Sequence, residues 1–246
     1  MKRFWKEATK ITRALWYADE RACAFCGVER GPICPSCTIN YLHPELGRCR
    51  GCGKLIMSED ILCLDCGAGK GPKQLDRIVA WGHYSGGLRE FIHAVKFKAQ
   101  PRRLLEIARP FSNWAINQLP PVEGVVAVPM HAARLMERGF NQAEVIASML
   151  HWELGLPIIP GVERIEPTSS QVLLSRQERL LNLKGAFIVR KPGNIKGQNM
   201  WLVDDVTTTG ATLEAVAEVL RESGAHEIYG LCLAAGLEKK LVPSCE

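Results

Sequence analysis

The sequence predicts an α/β protein, with a mostly parallel sheet flanked by helices and a small zinc-ribbon domain at its N-terminal end. Three observations predict it. From residue 78 onward, apolar strand-like runs alternate with amphipathic helix-like runs, the rhythm of βαβ units. Eight of the ten cysteines crowd between residues 23 and 66 as four C-x2-C pairs. One apolar strand, Met200 to Val203, runs into an acidic and hydroxyl-rich turn that opens a helix.

Composition narrows the class. With 47% hydrophobic and 23% charged residues in 246, the chain has apolar mass for a core, which excludes a disordered, collagenous or fibrous protein. No stretch approaches the roughly 20 apolar residues that span a bilayer, and the opening MKRFWKEATKITRALWY lacks a signal-peptide core. The expected location is the cytoplasm. Thiols stay reduced there, so paired cysteines are expected to bind metal rather than form disulfides. A formal charge of +5 suggests an acidic partner, but it counts the thiols as neutral. Eight thiolates around two divalent cations remove four charges and leave about +1. Only local basic clusters therefore argue for nucleic acid.

Residues 2–18 predict an amphipathic helix, with Phe4, Ala8, Ile11 and Leu15 on one face and Lys2, Lys6, Lys10 and Arg13 elsewhere. Two readings stay open. Docking on its own protein is preferred because Asp19 and Glu20 follow; peripheral contact with a membrane surface or a partner is the other.

The cysteine pairs are Cys23/Cys26, Cys34/Cys37, Cys49/Cys52 and Cys63/Cys66, three of them followed by glycine. Glycine suits a metal knuckle, where the chain turns tightly so that thiolates converge. Sequential grouping, Cys23 to Cys37 on one Zn2+ and Cys49 to Cys66 on another, needs only short hairpins and is preferred to an interleaved brace. Four thiolates leave no open position, so the metal is structural. Gly67 to Pro72 reads as a linker. The expected segments are thus a helix at 1–22, a double zinc ribbon at 23–70 and a larger domain at 71–240.

In that larger domain the pattern predicts a strand at 78–84, helices at 87–97 and 103–118, a strand at 122–128, a helix at 141–154 and a short strand near Ile158. A long loop spans 164–177. A strand at 200–203, a helix at 211–223 and a strand at 227–234 close the pattern.

The turn after Val203 carries the chemistry. Backbone N–H groups at a strand-to-helix turn form a positively polarised nest for phosphate. Thr207, Thr208, Thr209 and Thr212 add hydroxyl donors around Val206 and Ala211, and Gly210 lets the backbone approach closely. Asp204 and Asp205 sit where carboxylates accept hydrogen bonds from ribose hydroxyls. A phosphorylated sugar fits this pattern. No G-K-[ST] follows, so this is not a Walker loop.

The segment resembles the 5-phosphoribosyl-1-pyrophosphate (PRPP) signature of the type I phosphoribosyltransferase superfamily. More narrowly, the chain resembles the competence protein F (ComF/GntX-like) family, in which zinc knuckles precede such a domain. Val126 to Ala147, Gln171 to Phe187 and the HAVKFK stretch from His93 carry the narrower match. The resemblance implies a type I phosphoribosyltransferase fold that binds PRPP with Mg2+. It places Pro129 to Arg134 at the pyrophosphate loop, makes Arg134 and Arg138 phosphate contacts, and assigns Arg176 and Arg179 to a mobile hood. Arg138 to Gln142 form the family's R-G-F-N-Q motif, in which Asn141 reads equally as a helix cap.

Thr208 stands where oxopurine-salvage relatives carry a general-acid/base Asp, which argues against oxopurine chemistry. The implied reaction is displacement of pyrophosphate at C1 of ribose by a nitrogen nucleophile that the sequence does not identify. Three functions stay open: a competence factor handling incoming single-stranded DNA alongside other competence proteins, an active phosphoribosyltransferase on a small acceptor, and a PRPP sensor. Lys96, Lys98, Arg102 and Arg103, interleaved with Phe91 and Phe97, are the nucleic-acid candidates. The rival reading is a solvated helix face. The histidines show no metal spacing and read as structural, and Cys232 as a buried hydrophobe.

Overall fold

A computed structural model of the chain describes residues 22–57, 61–98, 100–166, 183 and 185–238. The helix expected at 2–18 and the hood arginines Arg176 and Arg179 lie outside them.

A four-stranded sheet organises the larger part of the molecule. Its strands are β3 (Arg77–His83), β4 (Gly124–Ala127), β7 (Met200–Thr207) and β8 (Ile228–Ala235), in the order β3-β8-β7-β4, all parallel. Two small antiparallel pairs flank it: β1 (Gly47–Arg48) with β2 (Leu55–Ile56), and β5 (Val162–Arg164) with β6 (Phe187–Val189). The central β8, IYGLCLAA, is buried along its whole length, as expected for a parallel strand covered on both faces. Cys232 lies in it, fully buried.

Helices cover both faces, and the strand period of two decides which side chains they meet. Val79, Trp81, Trp201 and Val203 point to one face, packed against α1 (Gly86–Phe97), α2 (Ala108–Gln118) and α4 (Gln142–Leu154). Ile78, Ala80, Met200 and Leu202 point to the other, under α5 (Ala211–Glu222). The exposed α3 (Ala132–Arg138) buries none of its side chains and is held by its caps, His131 Nδ1 on the Ala133 N–H and Gly139 at φ +81°.

Most predicted elements fall in place, with four differences. Residues 101–107 form a 3-10 helix opened by Pro101. The strand near Ile158 is a single bridge to Val125. Helix α3 and strands β5 and β6 were not anticipated. Strand β7 continues through Thr207 because β8 extends beside it and pairs Val206 with Ala234 and Thr207 with Ala235.

The cysteine-rich segment is not held apart. Cys23, Cys34 and Cys37 belong to the same apolar core as Trp81 and Phe91. The Arg48 guanidinium donates to four carbonyls, those of Leu42, Leu46, Ala80 and Trp81, and ties β1 to β3.

Candidate functional site

In an open parallel sheet, ligands sit at the carboxyl ends of strands where neighbouring strands send their helices to opposite faces. Strands β4 and β7 are such neighbours. After β4 the chain passes through α3 into α4 on one face; after β7 it enters α5 on the other. A cleft of about 670 Å³ opens there.

The turn after β7 forms its floor. Asp204 through Thr212 all line the cleft, and Asp204 and Asp205 are the only acidic residues that do so among the described residues. Gly210 takes φ +77° as the cap of α5, and a Cβ on it would lie 2.6 Å from Pro72 Cγ, so only glycine fits. Thr209 Oγ1 accepts from the Ala211 N–H at 3.4 Å. The α5 N-terminus, with its positive dipole end, therefore faces a loop of small hydroxylated residues.

The carboxylates are not equivalent. Asp204 Oδ1 accepts the Asp205 N–H at 2.8 Å, while Asp205 Oδ2 pairs with Lys96 Nζ at 2.8 Å. Burial, with the Asp205 charge beside it, pushes Asp204 up to about 7. Burial alone would lower Lys96, but the carboxylates of Asp205 and Asp204 hold its ammonium above the ordinary lysine value.

The opposite wall comes from β4 and the R-G-F-N-Q turn. Pro129, Arg134, Arg138, Asn141 and Gln142 line the cleft. Asn141 caps α4, accepting from Ala143 N–H at 3.1 Å, and its Nδ2 donates to the Val128 carbonyl at 3.0 Å. Its structural role is thus present while it lies in the cleft. Arg138 Nη1 donates to Gln142 Oε1 at 3.1 Å.

The four nucleic-acid candidates separate. Lys96 lies in the cleft on Asp205 instead of on an open basic face. Arg103 donates to the Ala24 carbonyl at 2.7 Å and lies over Phe91, fastening the first cysteine loop. Lys98 and Arg102 are exposed. Of the two aromatics, Phe91 is core and Phe97 is 67% exposed. Sequence reading missed Tyr84, His93, Phe97 and Arg164 as cleft residues. The spacing of His93, Lys96 and Phe97, which share a face at the edge of the buried stripe of Ile92 and Val95, was the available signal for α1.

The cysteines group sequentially. In each set, Cys23, Cys26, Cys34, Cys37 and Cys49, Cys52, Cys63, Cys66, the four Sγ atoms lie within 4.8 Å of one another. A tetrahedral ion about 2.3 Å from each sulfur needs S–S edges of about 3.8 Å. Cys26 and Cys34 stand 3.8 Å apart and Cys52 and Cys63 3.6 Å, so both sets fit a metal ion. Backbone N–H groups of Cys34 and Cys63 point at the Cys23 and Cys49 sulfurs, as around a thiolate. Hydrogen bonding from the Cys52 thiol and from backbone groups lowers Cys49 to about 4.

Fold and loop together define a phosphoribosyltransferase-type protein, and residues 129–245 match the phosphoribosyl transferase domain model. Competence protein F of Haemophilus influenzae is 34% identical over 223 residues, spanning 82% of this chain and 96% of its own. The DNA utilization protein YhgH of Salmonella typhi is 29% identical over 221 residues, 87% and 89% of the two chains. Competence protein ComFC of Bacillus subtilis is 31% identical over 142 residues, 57% and 56%. The chain belongs to the competence protein F family of the type I phosphoribosyltransferase superfamily.

Proposed function

We propose that the cleft binds PRPP with Mg2+ and that the protein serves natural competence by handling incoming single-stranded DNA in the cytoplasm. One observation carries the ligand: two adjacent carboxylates and the T-T-T-G-A-T loop converge in one cleft facing Arg134 and Arg138. The loop would hold the 5-phosphate through N–H and hydroxyl donors. Asp204 and Asp205 would accept from the ribose hydroxyls, with Lys96 released from Asp205 toward the pyrophosphate. Arg134 and Arg138, joined by Arg176 and Arg179 of the hood, would meet the phosphates. Mg2+ would neutralise the pyrophosphate, supported by the same two carboxylates. The two cysteine sets would each hold structural Zn2+.

The printed names of the relatives, competence protein F and DNA utilization protein, support the DNA role. Lys98 and Arg102, exposed at the end of α1 and just beyond it, are basic residues that a strand's phosphates would meet. Converting both to alanine is expected to weaken single-strand binding and flatten its salt dependence; unchanged affinity at every salt concentration removes this surface from the reading.

The ligand is tested by calorimetric titration of zinc-loaded protein with PRPP and Mg2+, beside Asp204→Asn with Asp205→Asn. Saturable binding that the double variant loses supports the site. Absence of binding by folded, zinc-replete protein rejects it.

A further inference from the structure

Helices α2 and α4 lie side by side on one face of the sheet, and the groove along their outer surface carries apolar side chains that nothing covers among the described residues. On α2, Phe111 meets the Trp81 ring and the Arg48 guanidinium lies over Trp114, so that flank turns toward β3. Ile116 is two residues past Trp114, about 200° round the helix, and turns toward α4. On α4, Val145 packs against the core cluster that holds Phe111 and Ala115, and Trp152, seven residues on, continues the same line. Ile116 keeps 50% of its surface in water and Trp152 54%, the only large apolar residues exposed on these two helices among the described residues.

The segment that precedes Ala22 has the matching shape. At 100° per residue, Phe4, Ala8, Ile11 and Leu15 fall within about 60° of one another, and Trp5 and Trp16 widen the arc to about 140°. Lys2, Lys6, Lys10 and Arg13 gather within about 80° on the other side. An arc that wide suits a groove between two helices better than a flat surface. Its point of attachment fits as well. Ala24, two residues beyond Ala22, gives its carbonyl to Arg103 Nη2 at 2.7 Å, and Arg103 lies in the 3-10 helix that leads into α2. The segment therefore joins the molecule where the groove begins. A helix over residues 2–18 is about 25 Å long, against about 30 Å for the 3-10 helix and α2 end to end. Running back from Ala22, Leu15 would sit near the start of the groove and Phe4 near Ile116 and Trp152.

We propose that residues 2–18 form a helix seated in the groove between α2 and α4, antiparallel to α2, with the apolar arc on Ile116 and Trp152 and the lysines in water. The match of length and the attachment beside Arg103 favour this chain's own segment as the occupant. A second copy of the chain and an anionic membrane, which a basic amphipathic helix also suits, are separated by the test.

The test introduces Phe4→p-benzoylphenylalanine in the full, zinc-loaded chain and maps photo-crosslinks by mass spectrometry, with and without vesicles rich in anionic lipid. The expected products are crosslinks within one chain to α2 or α4 around Ile116 and Trp152. Ile116→Glu with Trp152→Glu changes two exposed positions and should cut that yield about fivefold or more with metal content kept. Hydrogen exchange reads the same docking independently. A helix of this length alone is marginal in water, so amides of residues 2–18 should exchange about tenfold more slowly in wild type than in the double variant. Crosslinks between two chains assign the groove to a second copy and overturn the proposal, as do crosslinks confined to another part of the same chain. Slow exchange that appears only with vesicles overturns it in favour of a membrane. Fast exchange across residues 2–18 under every condition overturns it outright.

Discussion

The two cysteine sets have the same chemistry and different neighbours. In the first, Cys23, Cys34 and Cys37 are part of the main core, and Phe25 between them meets Tyr41, Trp81 and Phe91 at 6.2, 6.2 and 5.6 Å. The start of α1 presses on the same residues, where a Cβ on Gly86 would lie 2.3 Å from the Tyr41 ring. The second set forms a small cluster of its own with Ile56. It meets the sheet through Leu55, buried in the same apolar core as Ile78 and Leu202, and through hydrogen bonds, Ile78 N–H to the Arg50 carbonyl at 2.9 Å and Thr207 Oγ1 to the Cys52 carbonyl at 3.4 Å. One set is joined to the helix that brings Lys96, the other to the loop that would hold phosphate. They brace one cleft differently, the first with three of its cysteines in the main core and the second through Leu55 and a few hydrogen bonds.

The largest expected effect separates them directly. Cys37→Ser should lower the thermal midpoint by roughly 10 °C or more, because losing a metal held by that set would open the main core. Cys63→Ser should lower it by less while weakening PRPP binding about fivefold or more, through Thr207. Thermal unfolding with metal content by mass spectrometry checks both, and equal thermal losses would break the comparison.

Glycines sharpen it without touching a ligand. A Cβ at Gly82 would lie 2.5 Å from the Tyr41 carbonyl oxygen, so Gly82→Ala should cost about 2 kcal/mol with both metals retained. Gly53 takes φ +75°, and its Cβ would meet Ile78 at 2.8 Å and Thr207 at 3.4 Å. Gly53→Ala should cost about 1 kcal/mol and show its main effect in ligand affinity. Denaturant unfolding beside PRPP titration distinguishes the two.

Lys96→Met removes the counter-charge from Asp205 in a largely buried pair. A loss of about 1–2 kcal/mol is expected, after allowing for partial exposure. It should also raise Asp204 further, since Lys96 is one of the groups holding it down.

The last effect is in pH. Asp204 titrates at about 7 in the folded protein, above the ordinary value near 4. Between those values the native chain keeps a proton that the unfolded chain has lost, so stability falls as pH rises through that window. Binding that needs the carboxylate runs the other way and should weaken about tenfold from pH 8 to pH 6. Asp204→Asn should remove the part of that pH dependence that comes from the Asp204 carboxylate.

Legibility followed locality. The hydroxyl-rich turn after β7, the cysteine pairs and the α4 cap could be read because each is set by neighbours in the chain. Lys96 could not: its partner lies over a hundred residues away, and only the packing of α1 against β7 shows which basic residues face water. Strand β7 was read too short because polar Asp204 to Thr207 are held in the sheet by β8, a tertiary contact with no local signature. Helix α3 was missed because it buries no apolar face from which a period could be read.

The central claim is that the turn from Thr207 to Leu213 holds the ligand's phosphate. Hydrogen–deuterium exchange of zinc-loaded protein with and without PRPP and Mg2+ tests it most directly. The account predicts slower exchange of the amides from Thr207 to Leu213, lost in the Asp204→Asn, Asp205→Asn variant. Unchanged exchange there under saturating ligand, or protection confined to another part of the chain, would contradict it.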